Sequence, residues 1–219
     1  MSAAPEPEFA VIGAGGRRHA AVPALEFDVT VAEPEGRTVY MIALTTQVMI
    51  EPARRRYEDA ERERLCDLFG PPERWATTTR SLVWHKVDVV VPAFTGSTTF
   101  RVPIPVSYDL EVVAAKYFYS LEDGEVPLAF NFNGTVMYRG EDGGVQMSLV
   151  PWSCSAEFRM PVSTWRDLME HYYPRTGWIA LHADTIEALR AEKVRRGLPT
   201  IDACVAELVA EGSSLVAGA

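Results

Sequence analysis

The chain has 219 residues, 47% of them hydrophobic and 23% charged, and carries a net charge of −9. A chain of this length and composition buries a sizeable core without staples. The acidic balance argues against nucleic acid and anionic membranes as partners, because both need a basic face.

Residues 1–22 are rich in Ala, Gly and Pro and hold no sustained period, so they predict a disordered tail that includes His19. Within it, Phe9 to Gly16 reads FAVIGAGG, the opening of a dinucleotide-binding turn. Arg18 holds the sixth position where a third glycine belongs, and a strand pattern follows where a helix should, so the fingerprint is incomplete. No basic region precedes an apolar stretch there, and no apolar run approaches 18 residues, so neither a signal peptide nor a transmembrane helix is expected. The three cysteines, Cys66, Cys154 and Cys204, are scattered with no CxxC pair, which fits a reducing cytoplasm.

The first strand is Leu25 to Val31, with Leu25, Phe27, Val29 and Val31 on one face. After the turn at Pro34-Glu35-Gly36, a second strand runs from Val39 to Ile50, with Tyr40, Ile42, Leu44, Val48 and Ile50 facing inward. A charged helix is predicted over 57–69 and ended by Gly70. The mixture of Arg and Glu around it reads first as a solvated face, with Glu58 paired to Arg62. A partner-binding arm on Arg54-Arg55-Arg56 is the sharper alternative.

Ser81 to Val91 is the next strand, with Val83, His85, Val87, Val89 and Val91 sharing a face. Phe100 to Ala114 is the longest alternation of the chain. Pro103 and Pro105 on its polar face remove ladder donors and predict an edge strand. Arg101 stands on that same polar face. A short helical turn is expected over 116–121. Leu128, Phe130, Phe132, Val136 and Tyr138 then form another strand face, and Gly140 to Gly144 a hairpin loop.

The stretch PWSCSAEFRMPVSTWRDLMEHYYP holds a strand, a stop and a helix start. Trp152, Cys154, Ala156, Phe158 and Met160 alternate on one strand face, and Pro161 stops the strand. Thr164 and Asp167 are spaced as a capping box, and Trp165, Leu168, Met169 and Tyr172 form a helical stripe closed by Pro174. Trp152 and Trp165 are expected to meet as core across a sheet-to-helix seam. Two more helices follow. Asp184 with Glu187 is spaced to cap the first, which ends at Gly197. Thr200 caps the second, with Ile201, Cys204, Val205, Leu208 and Val209 as its stripe and Gly212 as its end.

The resulting expectation is an α+β domain over 23–212: a curled antiparallel sheet of about six long strands with C-terminal helices packed on it, and frayed residues over 213–219. That order loosely resembles the SecB export chaperone fold, a likeness of topology alone.

No catalytic residue and no cofactor is expected. No serine lies in a GxSxG elbow, no P-loop is present, and Cys154 sits on an apolar strand face. His85 among valines reads as a core histidine. His171 and His182, with Glu170 and Asp184 nearby, are the candidate metal ligands, although their spacing fits no zinc pattern. Aromatic residues crowd between Trp152 and Trp178. The partner-binding candidates are Tyr172, Tyr173, Trp178 and Arg101, with Tyr173 and Trp178 expected to be the most exposed.

The words LAFNFNGTVMYRG, VPWSCSAEFRMPVSTWRDLMEHYYP, GWIALHADT and GLPTIDA resemble a family of uncharacterised actinobacterial proteins whose genes sit beside those of uptake [NiFe]-hydrogenases. The resemblance covers Leu128 to Val209 and implies no activity and no catalytic residue. It implies a role near hydrogenase assembly or activity; together with the missing catalytic motifs, the edge-like strand at 100–114 and the aromatic cluster, the expectation is a non-enzymatic cytoplasmic accessory or assembly protein, with a hydrogenase subunit or maturation factor as protein partner. A homo-oligomer is a second form of association to test. The alternative is a small-molecule or metal-binding protein, perhaps an enzyme, with its pocket between the sheet and the C-terminal helices.

Overall fold

The computed structural model describes residues 4–17, 20–106, 109 and 112–217. His19, and Ser107, Tyr108, Leu110 and Glu111 of the long alternation, lie outside the described residues. Two compact units are present, Met1–Trp178 and Ile179–Ala219.

The first unit is built from antiparallel strands and short helices. In chain order they are β1 (Glu8–Gly16), β2 (Ala24–Ala32), β3 (Thr38–Ile50), α1 (Asp59–Phe69), α2 (Trp75–Thr78), β4 (Leu82–Val91), β5 (Phe94–Thr95), β6 (Ser97–Pro105), α3 (Val113–Ser120), β7 (Glu125–Arg139), β8 (Val145–Leu149), β9 (Ser155–Pro161) and α4 (Val162–Tyr172). One sheet has the order β1-β2-β6. The other has the order β4-β3-β7-β8, with β5 also on β3 and β9 also on β7. The expected antiparallel α+β architecture is therefore present, and its strands divide between two sheets.

Strands β2 and β7 explain how the sheets meet. Each keeps an unbroken period of two, so each sends one full row inward: Leu25, Phe27, Val29 and Val31 from β2, and Leu128, Phe130, Phe132, Val136 and Tyr138 from β7. Phe27 sets its ring edge-to-face against Phe130 at 5.1 Å and Phe158 at 6.0 Å. Gly134 lets β3 and β7 lie close, since a Cβ there would stand 2.0 Å from the Ala43 carbonyl oxygen.

Three other strands break the period with a bulge. In β1 the register shifts at Ile12, in β3 at Tyr40 and in β4 at Trp84. One extra residue moves every later side chain to the opposite face. Val39 is accordingly buried and Tyr40 exposed, against the expected inward Tyr40. Likewise Trp84 packs on Phe118 and Phe27, while Val83 faces out and His85 is half-buried. The bulge in β1 still brings Phe9 onto Phe132, stacked at 4.2 Å. That contact, with the pairing to β2, makes a strand of the glycine-rich stretch where its composition predicts a tail.

Strand β6 ends at Pro105, and Val113 and Ala114, near the end of the expected alternation, belong to α3. Helix α4 covers the core with Val162, Trp165, Leu168 and Met169. Its start corrects the expected capping box. The N-cap is Pro161, and the Val162 N–H donates to the Gly124 carbonyl at 2.9 Å, so the β7–β9 ladder runs into the helix and satisfies a first-turn donor with no side-chain cap. Trp165 is 1% exposed, as expected. Trp152 is 95% exposed, because the chain turns at 151–154 before β9 begins; the two tryptophans do not form a seam.

The second unit is a helical hairpin of α5 (Ala183–Arg196) and α6 (Ile201–Ala217). His182 rather than Asp184 is the N-cap of α5, which places Asp184 in the first turn. Gly197 ends α5 in the left-handed region at φ 67°, and Thr200 Oγ1 accepts the Ala203 N–H at 3.1 Å to cap α6. Gly212 does not end α6, which continues to Ala217. Arg196 bonds Glu192 of its own helix and Glu211 of α6, both at 2.6 Å.

Candidate functional site

Sheets present two kinds of surface, a face and an edge, and strand β8 supplies both. It pairs only with β7, in the register Thr135↔Leu149, Met137↔Met147 and Arg139↔Val145. The Val150 N–H donates to the Gly134 carbonyl at 2.9 Å and the Gly140 N–H to the Gly144 carbonyl at 2.8 Å. Antiparallel bonds alternate, so Gln146 and Ser148 complete the ladder, whereas Val145, Met147 and Leu149 turn their N–H and C=O outward. No described strand meets them. Their side chains are 65%, 65% and 76% exposed, an uncharged apolar row.

That row continues across the outer face of the sheet. Met147 opposes Met137, and Met137 opposes Met41, so three methionines line up over β8, β7 and β3. The next row runs Leu149, Thr135, Ala43 and Val90, the last 63% exposed. Directly opposed side chains in a sheet stand about 4.5–5.5 Å apart, so these rows are continuous surface. Methionine suits such a surface, being flexible and polarisable.

Every other sheet edge carries a device against pairing. On β6, the Val106 N–H donates to the Pro23 carbonyl and the Glu33 N–H to the Gly96 carbonyl, so even-numbered residues bond β2 and odd-numbered ones face out. Pro103 and Pro105 are odd, and the edge lacks their two donors. The same alternation on β9 turns Glu157, Arg159 and Pro161 outward. Strands β1 and β4 have their bulges, and β5 is two residues long.

The residues singled out from the sequence are spread over several places. Arg101 lies on the outer face of β6, 3.5 Å from Asp28 and 3.7 Å from Glu26. Tyr172 fastens the chain before β2: its hydroxyl donates to the Arg17 carbonyl at 2.7 Å and accepts the Ala20 N–H at 3.1 Å. Tyr173 and Trp178 contact each other at 5.9 Å, and Trp178 is 61% exposed. His171 is exposed at the end of α4, lining with Gly15, Gly16, Asp167 and Glu170 a cleft of about 520 Å³. His182 belongs to the second unit. Among the described residues no group of three or more His, Cys, Asp or Glu is arranged to hold a metal.

The Arg54-Arg55-Arg56 run does structural work for two of its members. Arg54 holds Glu157 with two bonds of 2.6 and 2.9 Å, which lower the Glu157 carboxyl below its usual range. The Arg55 side chain is tucked in, although the residue is half-buried as a whole: its Nη2 donates to Glu61 Oε1 and to the Asp123 carbonyl, both at 2.6 Å, and its Nη1 to the Glu125 carbonyl at 3.0 Å. Glu61 also accepts the Glu122 N–H at 2.8 Å, so this pair clamps the start of α1 to the start of β7. Beneath it the Tyr57 hydroxyl donates to the Pro52 carbonyl at 2.7 Å and meets the Tyr117 hydroxyl at 2.8 Å. Burial pushes the Tyr57 phenol up to about 12 and raises that of Tyr117 as well. Burial likewise raises the Cys154 thiol, with the negative charge of Glu6 adding to the shift, and the thiol donates to the Pro7 carbonyl. No helix of the described chain is long and apolar enough to cross a membrane.

Sequence reasoning missed β8. The alternation VQMSL was legible, but a strand whose apolar row faces outward has the same pattern as one whose apolar row faces inward.

Among solved structures the chain is similar to a late embryogenesis abundant protein, at 14% identity, with 75% of each chain covered and a TM-score of 0.34. It is also similar to the ApaA protein of Bordetella pertussis, at 9% identity, with 71% of this chain and 94% of that one covered and a TM-score of 0.25. A β-glucosidase of Kluyveromyces marxianus matches at 8% identity over 72% of this chain and 15% of that one, with a TM-score of 0.25. No curated protein matches the chain. The model of a family of unknown function, DUF6084, matches residues 4–216, and the chain belongs to that family.

Proposed function

We propose that this protein is a non-enzymatic binding module that docks an extended apolar segment of a partner protein along β8. The observation that carries the reading is the edge itself. Val145, Met147 and Leu149 offer backbone donors and acceptors with no proline, charge or bulge in the way, beside a methionine-rich face. An added strand gains main-chain hydrogen bonds from such an edge and side-chain packing from the face. The aromatic pair Tyr173 and Trp178 offers an additional contact. The resemblance of the chain's words to a hydrogenase-associated family supports a hydrogenase subunit or maturation factor as the partner, and an accessory role in assembly.

The test is capture from native lysate with the wild-type chain and with Met147→Lys, which places a charge on the open edge. A partner should be retained by the wild type, and retention should fall at least about tenfold in the variant, with the melting midpoint unmoved. Equal capture by both chains, or no capture with a monomer by light scattering, would overturn the reading.

A further inference from the structure

A second feature, away from β8, points to a small molecule. A cleft of about 410 Å³ opens between the turn at Pro52–Arg54 with Tyr57 and the segment from Pro72 to Thr79. That volume lies in the usual range for small-ligand sites, about 300–1,000 Å³. Its lining includes three arginines, Arg55, Arg56 and Arg62, and no Asp or Glu. Two of them have carboxylate neighbours outside the lining, Arg55 with Glu61 at 2.6 Å and Arg62 with Asp59 at 3.9 Å, which leaves Arg56 as the main source of positive charge in the cleft.

The wall opposite the arginines is flat and fixed. Trp75 donates its indole N–H to the Gly70 carbonyl at 2.8 Å and stands edge-on to Tyr57 at 5.4 Å and to Phe69 at 5.7 Å. The remaining lining is Pro52, Ala53, Pro72, Ala76 and Thr79. The floor is built around Arg55, whose side chain is 8% exposed and whose Nε–H has no partner. Thr79 Oγ1, on the far side, is also buried without one. These are two of the six such atoms among the described residues, and both belong to residues of this one cleft. Arg62 is partly committed, with its Nε donating to the Tyr57 carbonyl, and Arg56 is exposed at the rim.

We propose that this cleft binds a small ligand consisting of a flat apolar group that bears an oxyanion, a carboxylate or a phosphate. The oxyanion lies against Arg56 and Arg62, and the flat group against Trp75. A guanidinium reads such an anion well through its fork of donors, and an aromatic wall holds a planar body.

The experiment is a ¹⁵N–¹H titration of the full chain with phenyl phosphate, benzoate, inorganic phosphate and benzyl alcohol, read at the Trp75 indole resonance, which a Trp75→Phe spectrum identifies. Phenyl phosphate or benzoate should saturate the shift below about 10 mM. Benzyl alcohol and inorganic phosphate should each bind at least about tenfold more weakly, and Arg56→Gln should weaken the favoured probe by about the same factor without moving the melting midpoint. Met147→Lys should bind the probe as the wild type does, which separates this site from the docking edge. No shift with either anion by about 10 mM, equal binding of benzyl alcohol, or full binding by an Arg56→Gln, Arg62→Gln double variant would overturn the proposal.

Discussion

Strands β6 and β8 are both edges, and they treat the edge in opposite ways. On β6 the outward positions include Pro103, Pro105 and Arg101, so donors are missing and a charge stands guard. On β8 the outward positions are Val145, Met147 and Leu149, and nothing guards them. An open, apolar edge exposes a chain to non-specific pairing, and proteins blunt theirs by several routes. Here the blunting is applied at every other edge of the two sheets. The difference teaches that exposure at β8 is selective, which is what a docking strand requires and what a general lack of protection would not give.

The largest effect tests the core on which both edges rest. Trp165 stacks on Phe118 at 5.3 Å and meets Tyr119 edge-on at 4.7 Å. Trp165→Ala should cost about 3–5 kcal/mol, as large aromatic truncations in cores do, a sizeable share of a domain's stability. Trp152→Ala, just beyond β8, should change stability by less than about 0.5 kcal/mol. Denaturant midpoints of the two variants decide it. Equal losses would mean that Trp152 is packed and that the surface near β8 is smaller than described.

The contrast between the two tryptophans also shows what the sequence can and cannot carry. The inward faces of β2 and β7 were legible because an uninterrupted period of two fixes them. The edge character of β6 was legible from its prolines. Tyr40 and Val83 were misplaced because a bulge adds one residue with no composition of its own, and everything beyond it changes face. Trp152 was misplaced because it continues the alternation of β9 by two residues, although the chain turns at Pro151 and the strand begins only at Ser155. The clamp of Arg55 on Glu61 was hidden inside a charge run that reads as a solvated face, because burial of a charge depends on the loop that folds over it. The open edge of β8 was hidden for a different reason. Whether an apolar row faces a core or open water is decided by the rest of the fold, and β8 alone does not encode it.

An alkaline titration separates the shared interior from the edges by a second route. The Tyr57 phenol is raised to about 12 by burial, and Tyr117 is raised in the same direction. A raised folded-state pKa means that the unfolded chain releases its proton first. The stabilisation is fully present below the ordinary tyrosine value near 10 and is lost as pH rises from about 10 towards 12. For Tyr57 alone the shift corresponds to about 2–3 kcal/mol. The unfolding midpoint should therefore fall over that window in the wild type, and the Tyr57→Phe, Tyr117→Phe double variant should fall less steeply. Identical profiles would show that the buried hydroxyl pair is not what titrates. Met147→Lys should leave the profile of the wild type unchanged, because β8 contributes no tyrosine.

A smaller effect on stability than either of these belongs to the sharpest test of the comparison. Pro103 and Pro105 stand at outward positions of β6, so their rings occupy sites where an N–H would face open water. Replacing both with threonine takes no bond from the β2–β6 ladder, since neither position donates to β2 in the wild type. It relaxes the unfolded chain, at a cost of about 0.4–1 kcal/mol per proline. What it adds is two donors in a row along an edge where Arg101 and Thr99 already offer theirs. If proline is what keeps β6 closed, the double variant should self-associate at concentrations where the wild type does not, seen as a rise in mass by light scattering. The rise should persist when Met147→Lys is added, because the new contact runs through β6 and leaves β8 uninvolved. A double variant that keeps the wild-type mass would show that Arg101 alone closes the edge. The contrast with β8 would then rest on charge, and Met147→Lys becomes its direct counterpart. A mass increase abolished by Met147→Lys would instead place the association at β8 and would remove the distinction between the two edges.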